Sequence, residues 1–215
     1  MQKIKDFWLW FSEYHHTLYT VKAFTEREQH YYYNELTVRL EGIHPFIGFV
    51  LHTPGNGEKA QLTITTNGDN EGMLYVIQLG RMAPKLPNWQ IHTFIQPTIS
   101  IKALKKGLVP AYEFEAFDLQ PSHIIWAPVD IDPDTWKFEI VFHFKGLRYR
   151  HEKIPYETGI EYLLIILLDL LGEIRFREQI KMIYFDDKCR DYQQWFPLYQ
   201  LPEYLEYGDL DDMWV

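Results

Sequence analysis

The chain has 215 residues, with 21 Lys and Arg against 30 Asp and Glu, for a formal net charge of −9. Apolar residues make up 47% and charged residues 24%, an ordinary globular composition in a chain long enough to bury a core without metal or disulfide. The single cysteine, Cys189, excludes an intrachain disulfide and a CxxC zinc cluster, and the acidic balance without a dense basic stripe argues against general nucleic-acid binding.

Near the start, Lys3 and Lys5 precede Phe7-Trp8-Leu9-Trp10-Phe11. That apolar run is shorter than the roughly 7–15 residues of a signal-peptide core. The longest other run, Tyr162 to Leu168, falls short of the roughly 20 residues that span a bilayer. The expectation is an unprocessed cytoplasmic protein with no membrane partner.

In chain order, Phe7, Trp10, Phe11, Tyr14, Leu18 and Val21 mark one face of a helix over Ile4 to Val21. Thr25-Glu26-Arg27-Glu28 reads as a capping box opening a second helix that Gly42 stops. The period then changes. Phe46 to His52 and Gln61 to Thr66 read as strands joined at Pro54-Gly55-Asn56-Gly57, followed by a helix over Glu71 to Ala83 and a strand over Trp89 to Ile95. After a short helix at Ile101 to Lys106 and a strand at Tyr112 to Phe117, the order recurs. Strands His123 to Val129 and Trp136 to Lys145 flank the turn Asp130-Ile131-Asp132-Pro133-Asp134, a helix covers Tyr156 to Leu171 with Gly172 closing it, and Ile180 to Phe185 is a last strand. Strand, strand, helix, strand thus occurs twice, at the level of pattern only.

The predicted fold class is α+β, a mainly antiparallel sheet with helices on one face, built from two such halves. No Gly/Ser-rich linker separates them, so one globular domain spans 1–215. Within it, N-terminal helices occupy 4–42, the halves 43–97 and 98–187, and an acidic-aromatic tail 188–215. In that tail Glu203, Glu206, Asp209, Asp211 and Asp212 accompany aromatic rings, and no Lys or Arg follows Arg190. One reading is a strap with its rings on the body; the other is a contact for a basic partner through Trp195, Tyr199, Tyr204, Tyr207 and Trp214.

Chemical motifs fail one by one. His151-Glu152-Lys153-Ile154-Pro155 begins like HExxH, but Pro155 replaces the second histidine and no helix runs through it. Asp130, Asp132 and Asp134 mimic a calcium loop whose Gly and Glu positions hold Thr135 and Val141. None of Ser12, Ser100 and Ser122 lies in a nucleophile elbow, and Ser122 and His123 point to opposite faces of a strand. Cys189 lies between Lys188 and Arg190, which favours thiolate, yet a surface thiol is the simpler account. The runs Gly55-Asn56-Gly57 and Gly68-Asp69-Asn70-Glu71-Gly72 read as a hairpin turn and a helix cap, because Asp69 and Glu71 repel phosphate. Two features remain. Strand alternation puts Glu139 and His143 on one polar face, which His92 joins, with Gln61, Thr63 and Thr65, if their strands share a sheet; such a set could bind a metal or move protons. Asp169 stands in an apolar helix, with Glu161 and Glu173 at helical spacings, and needs a partner.

Three stretches carry a resemblance: Ala83-Pro84-Lys85-Leu86-Pro87-Asn88-Trp89, Phe117-Asp118-Leu119-Gln120-Pro121-Ser122 and Leu168-Asp169-Leu170-Leu171-Gly172-Glu173. Together they resemble an uncharacterised family of bacterial cytoplasmic proteins with a duplicated α+β arrangement, over about residues 5–205. The resemblance implies no activity, cofactor or site residue.

The leading expectation is a non-enzymatic protein-interaction or regulatory module, one form being an immunity-type protein that neutralises a basic partner. The rival is a hydrolase or small-ligand enzyme on the polar sheet face around His92, Glu139 and His143. A third is a homodimer through the Trp8/Trp10 helix or the tail. No catalytic residue, metal or cofactor is assigned.

Overall fold

The computed structural model describes residues 1–54, 57–114, 117–145, 155–186 and 194–207. Gly55 and Asn56, the His151 to Ile154 run, Cys189, the tail acids Asp209, Asp211 and Asp212, and Trp214 lie outside the described residues. The chain divides into two units, Met1–Ile95 and Gln96–Val215, and the elements are those of an α+β protein.

In the first unit, α1 (Gln2–Tyr19) buries Ile4, Phe7, Trp8, Phe11 and Leu18. The stripe is turned slightly from the predicted one. Trp8 goes inside, with its indole N–H donating to the Leu79 carbonyl at 3.1 Å, while Trp10 stays at the rim beneath the Arg39 guanidinium. The capping box forms ahead of α2 (Glu26–Glu41), Thr25 and Glu28 each accepting the other's backbone N–H. Strands β1 (Gly48–His52) and β2 (Ala60–Thr65) pair antiparallel; α3 (Met73–Arg81) then crosses over, and β3 (Trp89–Thr93) pairs parallel to β2. The sheet order is β1-β2-β3. Leu62, Ile64 and Trp89 face the core, where Phe11 meets the Trp89 ring edge-on at 5.0 Å. The opposite face holds Val50, His52, Gln61, Gln90 and His92, all exposed. Strand β3 stops before Ile95 because Phe94 turns to φ 65°.

In the second unit, α4 (Ile101–Lys105) and a two-stranded ribbon of β4 (Tyr112–Glu113) and β5 (Asp118–Leu119) precede the antiparallel pair β6 (Ile124–Ile131) and β7 (Phe138–Phe144). Helix α5 (Tyr156–Leu171) matches the predicted bounds, and Gly172, at φ 75°, ends it. The chain then re-enters a helix the sequence reading omitted, α6 (Glu173–Gln179), before β8 (Ile180–Phe185) pairs parallel to β7. Strand β9 (Phe196–Pro197) pairs with β6, and α7 (Leu201–Tyr207) follows, giving the order β8-β7-β6-β9. Alternation on β7 holds: Phe138, Ile140, Phe142 and Phe144 enter the core, with Leu163, Ile166, Leu167 and Leu170 of α5 in the same cluster.

Three corrections follow. Both larger sheets are mixed, because a strand reached through a crossover helix returns in the same direction as its neighbour. Trp136 is not the first inward residue of a strand: at φ 56° it belongs to the turn, and β7 begins at Phe138. In the tail, Tyr204 is a core residue. Its ring lies 4.7 Å from that of Trp126 and 5.1 Å from that of Phe138, and burial raises its phenol pKa.

Candidate functional site

The most organised set of charges lies at the end of the second unit's sheet where β6 turns into β7. The turn is built by Asp132. Its Oδ1 accepts the N–H groups of Asp134 and Thr135 at 2.8 and 3.0 Å, an Asx-type closure that Asp and Pro at 132 and 133 favour. The Trp136 N–H donates to the Asp132 carbonyl at 2.8 Å, and the Asp132 N–H to the Lys137 carbonyl at 2.9 Å.

From β8, Lys181 reaches this turn. Its Nζ lies 2.8 Å from Asp132 Oδ2 and 3.1 Å from Glu139 Oε1. The Tyr184 hydroxyl donates to the other Glu139 oxygen at 2.8 Å. The hydrogen bond from Lys181, followed by those from the turn's backbone, holds Asp132 well below the usual carboxylate range. The Tyr184 hydroxyl, then Lys181, lowers Glu139. The same bonds raise Lys181 above its ordinary value, Asp132 contributing most, and Glu139 raises Tyr184. Every shift favours the state already present at neutral pH. Acids stay ionised, the amine stays protonated and the phenol keeps its proton, whereas a general acid or base needs a pKa near the working pH.

A second arrangement surrounds Asp169. Its Oδ2 accepts the Tyr112 hydroxyl at 2.6 Å, and its carbonyl accepts the N–H groups of Thr98 and Ile99 at 2.7 and 3.0 Å. The acid for which the sequence demands a partner is therefore a structural tie, joining α5 to β4 through its carboxylate and to the segment ahead of α4 through its backbone. Burial, then the Asp169 carboxylate, pushes the Tyr112 phenol well up. Tyr112 closes one wall of an open groove of about 450 Å³ with Thr98, Ile99, Ala103, Leu108 and Pro110. Its walls are mainly apolar, and the tied phenol offers no nucleophile at neutral pH.

The dispersed polar set does not share a sheet. His92 stands on β3 in the three-stranded sheet, while Glu139 and His143 stand on β7 in the four-stranded one. The condition for their convergence is not met. Glu139 and His143 lie four residues apart on one strand, roughly 13 Å. His143 Nδ1 lies 2.8 Å from the Asp186 carbonyl, and its ring neighbours Trp195 at 5.9 Å. Among the described residues, no three His, Cys, Asp or Glu side chains are grouped to hold a metal ion. In the tail, Trp195 and Tyr199 are half-buried, with the Lys105 ammonium over the Tyr199 ring at 5.4 Å. Tyr207 is exposed.

Sequence reasoning missed Lys181 and Tyr184, and it placed Trp136 on the wrong side of a boundary. One local signal was present: an Asp-Pro-Asp-Thr run extends a turn through position 136. No helix of the described chain is long and apolar enough to cross a membrane. Neither a family model, a curated protein nor a solved structure matches the chain.

Proposed function

We propose that this chain is a non-enzymatic protein-interaction module of the bacterial cytoplasm that binds a basic protein, in the manner of an immunity-type protein. The observation that carries the reading is the mutually bonded network of Asp132, Glu139, Lys181 and Tyr184: the best-organised ionisable groups among the described residues are held by one another in fixed protonation states and leave a surplus of one negative charge. The surplus of acid supplies the complement to a basic partner. The bacterial placement rests on the three resembling stretches alone, and the cytoplasmic one on them together with the short apolar runs. We also read the two units as copies of one strand-strand-helix-strand arrangement. In support, β1-β2-β3 and β6-β7-β8 have the same neighbours, an antiparallel pair and then a parallel one.

The test is capture from bacterial lysate with mass-spectrometric identification, at about 0.15 M and about 1 M salt, beside a panel of chromogenic ester, phosphate and glycoside substrates. The expected result is one recurrent protein with more Lys and Arg than Asp and Glu, lost at high salt. Turnover of a substrate, or repeated capture of no basic protein, overturns the reading.

A further inference from the structure

Trp136 has 76% of its surface in water, the largest fraction among the exposed large apolar side chains of the described residues. It does so at φ 56°, in the left-handed region where a bulky side chain is strained and glycine is not. Trp136 is absent from the core, so the fold gains little burial from it. The turn that carries it is fixed at both ends. Asp132 binds the backbone at 134, 135 and 136, and Lys181 binds Asp132 from a neighbouring strand. The ring is thus presented on a rigid support, and a contact made there costs little ordering.

Its surroundings specify the complement. Around the turn stand four carboxylates, Asp130, Asp132, Asp134 and Glu139, against two ammonium groups, Lys137 and Lys181. Lys181 is already shared by Asp132 and Glu139, while Asp130 and Asp134 are exposed. The same end of the sheet carries Met182, opposite Glu139 in register, and Val129, at the register shift between Pro128 and Asp130; they are 49% and 47% exposed. An aromatic face with apolar flanks and surplus acid matches a planar, weakly hydrated cation: a guanidinium stacks on the indole while carboxylates take its N–H groups.

We infer that the β6–β7 turn is the docking surface for an arginine-bearing segment of a basic protein, with Trp136 as the stacking anchor and Asp130 and Asp134 as counter-charges. This deepens, and rests on, the proposed interaction role.

The experiment uses the full chain labelled with ¹⁵N, so that each of the 7 tryptophans gives one indole signal. The Trp136→Gly variant identifies the Trp136 signal. Titrants are peptides of alternating glycine with arginine, lysine or glutamate. The arginine peptide is expected to move the Trp136 signal to saturation, the lysine peptide to bind several-fold more weakly, and the glutamate peptide to leave the signal unmoved. Calorimetry should show Trp136→Gly weakening the arginine peptide at least about tenfold, while its thermal midpoint stays level or rises because glycine relieves the positive φ. Asp130→Asn with Asp134→Asn should weaken binding and flatten its salt dependence.

Saturable binding with the Trp136 signal unmoved overturns the surface and leaves the basic-partner reading standing. No binding by any basic peptide overturns the surface; the reading itself is decided separately, by capture and substrate turnover. Equal response to lysine and arginine overturns the guanidinium specificity. A Trp136 shift that grows with protein concentration alone makes a second copy the occupant and overturns the proposal, as does a clear fall in the thermal midpoint of Trp136→Gly.

Discussion

The two larger sheets, β1-β2-β3 and β8-β7-β6-β9, each join an antiparallel pair to a parallel one and treat their outer faces differently. In the first unit that face is largely polar, with His52, Gln61, Gln90 and His92 open to water beside an exposed Val50. In the second, Ile125, Ala127 and Val141 are buried on the corresponding side of the sheet, and beyond them Lys181 and Tyr184 of β8 bond to Glu139 of β7. Strand order therefore fixes which side chains can be neighbours, not what they do. Both cores are closed by rings: Trp126 lies against Phe196 and Tyr204 in the second unit, and Phe11 against Trp8 and Trp89 in the first.

The largest expected effect tests that aromatic closure. Trp126 is fully buried and donates its indole N–H to the Pro197 carbonyl at 3.1 Å. Trp126→Ala should cost about 3–5 kcal/mol in urea unfolding; a loss below about 1 kcal/mol would show that the ring cluster is not what holds this unit.

A smaller effect compares α3 and α5, which bring Gly80 against Thr93 of β3 and Gly159 against Phe185 of β8. A Cβ at Gly159 would lie 2.6, 2.9 and 3.0 Å from three atoms of the Phe185 ring, whereas at Gly80 it would meet the Thr93 methyl at 2.5 Å. The Phe185 ring, partly buried against the core, must shift as a body. Gly159→Ala should therefore cost about 1–3 kcal/mol and Gly80→Ala less, because a single methyl yields there; both glycines are helical, so the helix gain of about 1 kcal/mol on alanine applies equally to each. Equal losses in urea unfolding would remove this distinction.

The smallest effect is visible chiefly as a pH dependence. Lys181→Met removes the ammonium shared by Asp132 and Glu139. Both carboxylates have lowered pKa values in the folded state, so their contribution is present above the unfolded values, about 3.9 for Asp and 4.3 for Glu, and fades as acid titrates the folded groups. Lys181 is raised, so its contribution fades above its unfolded value, about 10.4. The urea midpoint of the variant should lie below that of the parent between those limits and converge on it at both extremes. A constant offset across the whole range would mean that packing, not charge, explains the difference.

Local signals carried much of the architecture. The apolar run of α5, the Thr25–Glu28 capping box and the alternation of β7 were legible because each is written within one or two turns or a single strand. What escaped depended on distance or on backbone sign. Glu139 and Tyr184 are 45 positions apart in the chain, and no pattern within either segment announces their bond. Phe94 and Trp136 take positive φ values that residue type argues against, so both strand boundaries moved. Of the candidate site, Glu139 was legible as a polar outward residue, but its partners required the register of β8. His92 was grouped with it only through an assumed common sheet.

Strand β9 is two residues long, and one of them is Pro197. Proline has no N–H to donate, and a two-residue strand exposes almost no ladder. At the other border of the same sheet, β8 carries a charged lysine. Each border is thus a poor template for a stray β-segment, and a chain rich in rings and β-formers gains protection there against stacking into fibrils.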